Sequence, residues 1–234
     1  MNELTYLPKD LSRFKKRLID NGMMFAERSL KGREKIADIA LDFIQDDVTI
    51  LAHCNSRVVL TLLIKAAQQN RRFSVIVTEA RPTSKGFEAA QILRDHGIPA
   101  TVILDSAVGY YIDKVDMVLV GAEGVVENGG IINQLGTYMI AVMAKAANKP
   151  FYAVVESYKF VRIFPLNQYD LPSTSSCNLL LTDPSESSHM EHELMHPQHP
   201  TIDYTPPSYI TLLFTDIGVL TPSGVSDELI KLYY

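Results

Sequence analysis

The residues from Gly121 to Thr137, GAEGVVENGGIINQLGT, carry the clearest signal for chemistry in the chain. Their glycines allow tight turns and let the backbone approach a ligand closely. The stretch follows a short apolar run, Met117–Val120, and leads into a helical pattern over Gln134–Lys145. A strand, a glycine-rich loop and a helix start can bind phosphate through free backbone N–H groups and the helix dipole.

The spacing of these glycines matches neither the dinucleotide fingerprint nor the phosphate loop of NTPases. Two interpretations therefore stay open. The loop is either a cradle for phosphate or a sugar phosphate, or an ordinary structural turn.

Cys54 is a second residue that could do chemistry. It lies in AHCNSR, directly after a predicted strand, and parallel sheets bind ligands at the carboxyl ends of their strands. A reactive thiol there would need positive surroundings. A free cysteine is also commonly a small, inert, half-buried hydrophobic side chain, and this is the favoured interpretation.

The segment His192–His196 spells HELMH, which matches the H-E-x-x-H motif of zinc metalloproteases. That motif needs both histidines on one helical face, but Pro197 follows immediately. Because His189 and His199 lie nearby, the segment is simply rich in histidine. We expect a solvated loop here and no metal site.

Apolar runs that alternate with helical patterns predict the elements that position these residues. Nearly all-apolar strands indicate an α/β fold with a Rossmann-like parallel sheet covered by helices on both faces. The predicted strands are Val48–Ala52, Phe73–Thr78, Ala100–Leu104, Met117–Val120, Phe151–Val155 and Tyr209–Phe214. The predicted helices are Val58–Gln69, Gly86–His96, Ser106–Ile112, Gln134–Lys145 and Ser226–Tyr234.

The two ends of this pattern differ from its middle. One or two amphipathic helices are predicted over Asp10–Arg28, and another over Arg33–Ile44. Residues 173–202 are rich in polar residues and proline, which predicts a mobile loop.

Composition places the chain among ordinary globular proteins, with 47% hydrophobic and 21% charged residues in 234. A net charge of −5 argues against binding nucleic acid or a membrane surface. Two cysteines far apart in sequence, Cys54 and Cys177, argue against a disulfide framework and favour the reducing cytosol.

The glycine-rich segment also resembles a known family. GAEGVVENGGIIN, KPFYAVVESYKFVRIFPLNQYDLP and DYTPPSYITLLFTDIGVLTPSGVSDELIKLYY are similar to the regulatory alpha, beta and delta subunits of eukaryotic translation initiation factor 2B, and most closely to the alpha type. The same family includes the methylthioribose-1-phosphate and ribose-1,5-bisphosphate isomerases. The resemblance covers roughly residues 20–175 and 203–234.

The resemblance implies two domains. Members of the family carry a helical domain before the Rossmann-like domain, and residues 1–46 match only the last part of it. Residues 47–234 then form the Rossmann-like domain. Without the earlier helices, apolar surface is expected to lie exposed on the remaining ones.

For the isomerases of this family, a cysteine and an aspartate are taken to be the acid/base pair. The matching positions here are Cys54 and Glu123, and Glu123 is one methylene longer than aspartate. Arg57 stands where the isomerases usually have a small residue, and Gln134 where the family usually has lysine. These departures argue against catalysis, because proton transfer requires groups within hydrogen-bond reach.

Binding of a sugar phosphate remains a hypothesis, because other positions of the family's ligand site persist. The candidate ligand-binding residues are Asn55, Arg57, Asn128, Gly129, Asn133, Gln134, Gly136 and Thr137.

The resemblance further implies a regulatory subunit of a guanine-nucleotide exchange complex, with no catalytic activity and no cofactor. Such a subunit homodimerises and bridges two sets of beta, delta, gamma and epsilon subunits. It helps the complex respond to phosphorylated initiation factor 2 alpha. The alternative is an aldose–ketose isomerase acting on ribose 1,5-bisphosphate or methylthioribose 1-phosphate.

Overall fold

Seven strands form the central sheet of the computed structural model, which describes residues 7–171 and 200–233. The strands are β1 (Val48–His53), β2 (Phe73–Thr78), β3 (Ala100–Ile103), β4 (Met117–Val120), β7 (Phe151–Val154), β9 (Leu212–Thr215) and β10 (Gly218–Leu220). Their order in the sheet is β10-β9-β7-β4-β1-β2-β3, and within this sheet only the β10–β9 pair is antiparallel. The predicted parallel sheet is therefore confirmed.

The helices bury one apolar side against this sheet. In α2, for example, Leu62, Leu63 and Ala66 are fully buried at helical spacing. The helices are α1 (Leu7–Ala40), α2 (Arg57–Gln68), α3 (Gly86–Asp95), α4 (Val108–Tyr111), α5 (Thr137–Ala146) and α6 (Gly224–Tyr233). Two large apolar clusters, one on each face of the sheet, contain most of the described core, and a third, smaller one comprises Val126, Ile132 and Tyr204.

A small antiparallel sheet, which the apolar pattern did not predict, lies beside the main one. It contains β5 (Gly124–Val125), β6 (Ile131–Gln134) and β8 (Ile202–Thr205) in the order β5-β6-β8. The helix predicted from Gln134 therefore begins three residues later, because Ile131–Gln134 pairs with β8 and Gly136 turns the chain at φ +103°. Only glycine adopts this backbone conformation readily.

Two other predicted elements are wrong in detail. Over Ser106–Ile112 the chain forms one short α-helix, α4, between two 3-10 turns and not a single helix. The strand predicted at Tyr209–Phe214 begins at Leu212, because Pro207–Tyr209 forms a 3-10 turn that begins with proline.

The N-terminal helix, α1, has two unlike halves. Its last turns are docked on the sheet, with Ile36, Ala37 and Ala40 fully buried. From residue 13 to residue 28 every side chain is exposed, including large apolar ones such as Phe14 and Met23. The two predicted segments, Asp10–Arg28 and Arg33–Ile44, are both helical, but they form one continuous helix that ends at Ala40 and is followed by a 3-10 turn at Leu41–Phe43.

The predicted mobile loop and the HELMH segment fall almost entirely in residues 172–199, which lie outside the described residues. Within the described ranges, no group of three or more His, Cys, Asp or Glu side chains could hold a metal ion. No helix of the described chain is long and apolar enough to cross a membrane.

Candidate functional site

A polar cavity opens at the point where the strand order of the main sheet reverses. The chain runs from β1 outward to β3 and then returns to place β4 on the other side of β1. Open α/β sheets bind ligands at this position, outside the carboxyl ends of the strands. The cavity measures about 140 Å³. The residues that line it come from the ends of β1, β4, β6 and β7 and from the starts of α2 and α3: His53, Cys54, Asn55, Ser56, Arg57, Val58, Lys85, Gly121, Ala122, Glu123, Asn133, Gln134, Glu156 and Lys159.

The turn from β1 into α2 provides one side of the cavity. Cys54 has a left-handed backbone, with φ +61°. This conformation is uncommon for a residue with a side chain, and such strain is found at functional sites. Gly121, at the end of β4, packs so closely on this turn that a Cβ would lie 2.3 Å from Ser56 Oγ. The two strand ends can therefore meet only with glycine at 121.

The Cys54 side chain is buried, and this burial determines the protonation state of its thiol. Burial raises the pKa of the thiol above its ordinary value, and the Asn55 N–H and the nearby Thr83 and Lys85 side chains oppose this only in part. The thiol is therefore protonated at neutral pH. It could donate a proton, but it is not an activated nucleophile.

We predict that native Cys54 reacts slowly with iodoacetamide. In a Cys177→Ser background at pH 7.5, the rate should be at least about tenfold below that of the urea-unfolded chain, because only the thiolate reacts and burial suppresses it. Mass spectrometry of timed aliquots measures both rates. A native rate equal to the unfolded one would contradict the protonated, buried thiol.

Glu123 and Gln134 contact each other in the wall of the cavity. The Gln134 amide donates a hydrogen bond to Glu123 Oε1 at 3.3 Å. The Glu123 backbone N–H donates to Ile132 O, which ties the wall to β6. Two of the three positions at which the sequence was expected to depart from the isomerases, Glu123 and Gln134, therefore contact each other.

His53 also lines the cavity. Its Nδ1 lies 2.6 Å from Thr78 Oγ1 and its Nε2 lies 3.0 Å from Leu135 O. A carbonyl can only accept, so Nε2 donates and Nδ1 accepts from the threonine hydroxyl. Burial lowers the pKa of His53, so the ring is neutral. It joins β1, β2 and the loop before α5.

Four of the predicted ligand residues line this cavity and four do not. Asn55, Arg57, Asn133 and Gln134 lie in its wall. The other four, Asn128, Gly129, Gly136 and Thr137, are not among its lining residues.

Asn128 and Gly129 instead shape the turn between β5 and β6. Asn128 donates to the Tyr204 hydroxyl at 2.7 Å and accepts from the Gly130 N–H at 2.9 Å. Gly129 lies against the backbone of Pro222. Both residues have structural partners in this position.

The N-terminus of α5, which the sequence suggested as a phosphate cradle, already holds a carboxylate from the chain itself. Asp203 Oδ2 accepts from the Gly136 N–H at 2.8 Å and from the Tyr138 N–H at 3.0 Å. Thr137 is also occupied, because its hydroxyl donates to Gln134 O and accepts from Asn133. An anion that entered this position would have to displace Asp203.

Sequence reasoning missed three charged residues of the cavity, Lys85, Glu156 and Lys159. Lys85 immediately precedes α3, and the other two follow β7 within five residues. Glu156, two residues after the end of the buried strand β7, was the one that its position in the sequence could have revealed. Lys85 and Lys159 bring positive charge to the cavity.

A larger groove of about 870 Å³ lies along α5, beyond Gly136. Its wall is mostly apolar, with Met139, Val142 and Met143 from α5. Asp203 is its single charged lining residue among the described ones. The small polar cavity is nevertheless the better candidate for binding a polar ligand, because it lies at the carboxyl ends of the strands and is lined by several charged side chains.

Comparison with known proteins agrees with this architecture. The initiation factor 2 subunit family matches residues 2–222 of the chain. Translation initiation factor eIF2B subunit alpha of Dictyostelium discoideum is 52% identical over 94% of this chain and 69% of its own length. Ribose 1,5-bisphosphate isomerase of Methanocaldococcus jannaschii is 34% identical over 95% of this chain and 71% of its own length.

The fold of the chain also resembles that of a solved structure. The translation initiation factor eIF-2B of Pyrococcus horikoshii OT3 superposes with a TM-score of 0.69 and 26% identity, over 86% of this chain and 68% of that one. The chain thus spans about two thirds of the length of the relatives that it matches. The family profile, the identities and the shared fold agree, and the chain belongs to the initiation factor 2 subunit family.

Proposed function

We propose that this chain is an alpha-type regulatory subunit of translation initiation factor eIF2B. The observation that carries the proposal is the 52% identity to the Dictyostelium alpha subunit over nearly the whole chain. Identity to the archaeal isomerase is much lower, at 34% over a similar span. The role is non-catalytic, and the subunit acts in the cytosol.

In this role the chain forms a homodimer that bridges two sets of beta, delta, gamma and epsilon subunits. It also helps the complex respond to phosphorylated initiation factor 2 alpha. Large exposed apolar side chains, such as Leu166 and Tyr169, support an assembled state.

The native mass of the assembled complex tests this role. The chain is mixed with the other four eIF2B subunits and analysed by size-exclusion chromatography with light scattering. We expect a species that contains two copies of every subunit. If the chain elutes apart from the other four, the bridging role is wrong.

The polar cavity gives this subunit a site for a sugar phosphate. Arg57, Lys85 and Lys159 line it, with Glu123 and Glu156 as the negative lining residues of the described chain, so an anion is favoured. The cavity also contains the start of α2, whose backbone N–H groups favour phosphate. Asn55 Oδ1, buried and without a hydrogen-bond partner, could accept from a ligand hydroxyl after a small shift.

An isomerase is the second candidate function. The specific observation in its favour is that Cys54 and Glu123, the positions of the isomerase acid/base pair, line the same cavity. The raised pKa of Cys54 keeps its thiol protonated, so the group can donate a proton but cannot accept one. This candidate predicts that the chain converts ribose 1,5-bisphosphate to product and that Cys54→Ser abolishes the conversion. The regulatory role predicts no conversion. NMR of the reaction mixture measures the product.

A further inference from the structure

Helix α1 is attached to the wall of the polar cavity at one point. Arg33 Nε donates to Glu156 Oε1 at 3.1 Å, and Arg33 Nη2 donates to Ser29 Oγ at 3.2 Å. Tyr158 completes the contact, since its ring lies 5.0 Å from that of Phe25 and its hydroxyl hydrogen-bonds to Ser29. This cluster lies where the docked half of α1 meets its exposed half.

Glu156 links the helix to the cavity because it also lines the cavity wall. It is only 3% exposed, and a buried carboxylate is costly unless cations compensate it. Burial would raise the pKa of Glu156, but Lys159 and Arg33 together lower it below its ordinary value. Two cations therefore share one buried carboxylate, one from α1 and one from the cavity wall.

The Lys159 ammonium group contacts two partners. Nζ lies 3.1 Å from Glu156 Oε2 and donates to Ala122 O at 2.8 Å. An anion in the cavity would compete with Glu156 for this ammonium. Glu156 would then depend more on Arg33, and Arg33 would hold α1 more firmly.

We propose that Arg33, although it lies on α1 and not in the cavity wall, is a positioning residue of the anion site that couples anion binding in the cavity to docking of α1. By neutralising Glu156, Arg33 leaves Lys159 available for a bound phosphate group. Without Arg33, Lys159 is the remaining cation on a buried carboxylate and is less available. The inference rests on the proposed sugar-phosphate site.

Hydrogen exchange of the wild-type chain, with and without ribose 5-phosphate, tests the coupling directly. We expect the ligand to slow exchange of the amides at residues 29–40, where α1 docks. Isothermal titration should show that Arg33→Gln weakens binding of ribose 5-phosphate by about tenfold, because Lys159 then stays with Glu156 and the ligand loses one charged hydrogen bond. Arg33→Lys should recover part of this loss because it keeps the charge.

The matched control removes a different ion pair of the same helix. Asp38 of α1 pairs with Lys65 of α2, and neither residue lines the cavity. Asp38→Asn should therefore leave both the affinity and the ligand-dependent protection unchanged. Equal losses in Asp38→Asn and Arg33→Gln would mean that α1 acts only through general stability, and would overturn the inference.

Two other results have distinct meanings. If the wild-type chain binds ribose 5-phosphate but exchange at residues 29–40 does not change, the coupling is wrong and the ligand site stands. If the wild-type chain does not bind it at millimolar concentration, the sugar-phosphate site is wrong and the coupling that depends on it is also wrong.

Discussion

Replacing Gly129 by alanine is expected to destabilise the folded chain by about 3–5 kcal/mol, because two costs add. Gly129 has φ +84°, a conformation that strains any residue with a side chain. A Cβ at this position would lie 2.0 Å from the carbonyl oxygen of Pro222. Backbone, unlike the end of a flexible side chain, cannot rotate away. The turn between β5 and β6 and the segment before α6 would have to separate.

Gly97→Ala is the matched control for this substitution. Gly97 also has a positive φ, +76°, but nothing lies within 4 Å of the Cβ position. It should therefore show only the conformational cost, about 1–2 kcal/mol. Urea unfolding followed by circular dichroism measures both variants. If the two variants lose similar amounts of unfolding free energy, the close approach of Gly129 to Pro222 does not contribute to the effect.

The second large effect is a pH dependence of stability from Asp203. Burial raises the pKa of this carboxyl from 3.8 to about 7, although the Tyr138 and Gly136 N–H groups oppose the rise. Its second oxygen, Oδ1, is buried without a hydrogen-bond partner. The folded chain therefore holds a proton that the unfolded chain has released. This group's contribution to stability is fully present below about pH 4 and is lost as the pH rises through about 7.

Asp203→Asn should remove this pH dependence, because the amide oxygen still accepts from the start of α5 but carries no charge. At pH 8 the substitution removes the cost of ionising the buried carboxyl, which is about 4 kcal/mol of folding stability. The new amide NH₂ is buried without a partner, and this offsets about 1–2 kcal/mol of the gain. We therefore expect the variant to be about 2–3 kcal/mol more stable than the wild type at pH 8. Near pH 5 the two should be about equal.

Urea unfolding at pH 5, 6, 7 and 8 measures the difference between these two chains. Asp116→Asn is the control, since Asp116 also accepts from a backbone N–H, that of Thr49, but is exposed to solvent. It should not reproduce the growing difference between pH 5 and pH 8. Parallel stability curves for Asp203→Asn and the wild type would contradict a buried carboxyl that titrates near neutral pH.

The main sheet was predictable because its strands are buried on both faces. A strand such as Met117–Val120 then consists only of apolar residues, and this pattern is visible without any partner. The small sheet was not predictable in the same way. Its strand β6 pairs with β8, about 70 residues later in the chain, and Gln134 at its end looked like part of the following helix.

Part of the cavity followed from the same logic. Cys54 follows a predicted strand, and parallel strands place their carboxyl ends at one edge of the sheet. Glu123, Asn55 and Arg57 were assigned from the family resemblance, and these three residues and Cys54 all line the cavity. Whether they bind a sugar phosphate remains a prediction.

The sequence by itself determined the family, the parallel sheet and the edge of the sheet where the cavity lies, because local apolar patterns and shared strings carry that information. The tertiary structure alone decided which charges meet. Asp203 reaches the start of α5, and Arg33 reaches Glu156 across 123 residues. These contacts depend on how the elements pack, and no local pattern in the sequence records which distant side chain will compensate a buried charge.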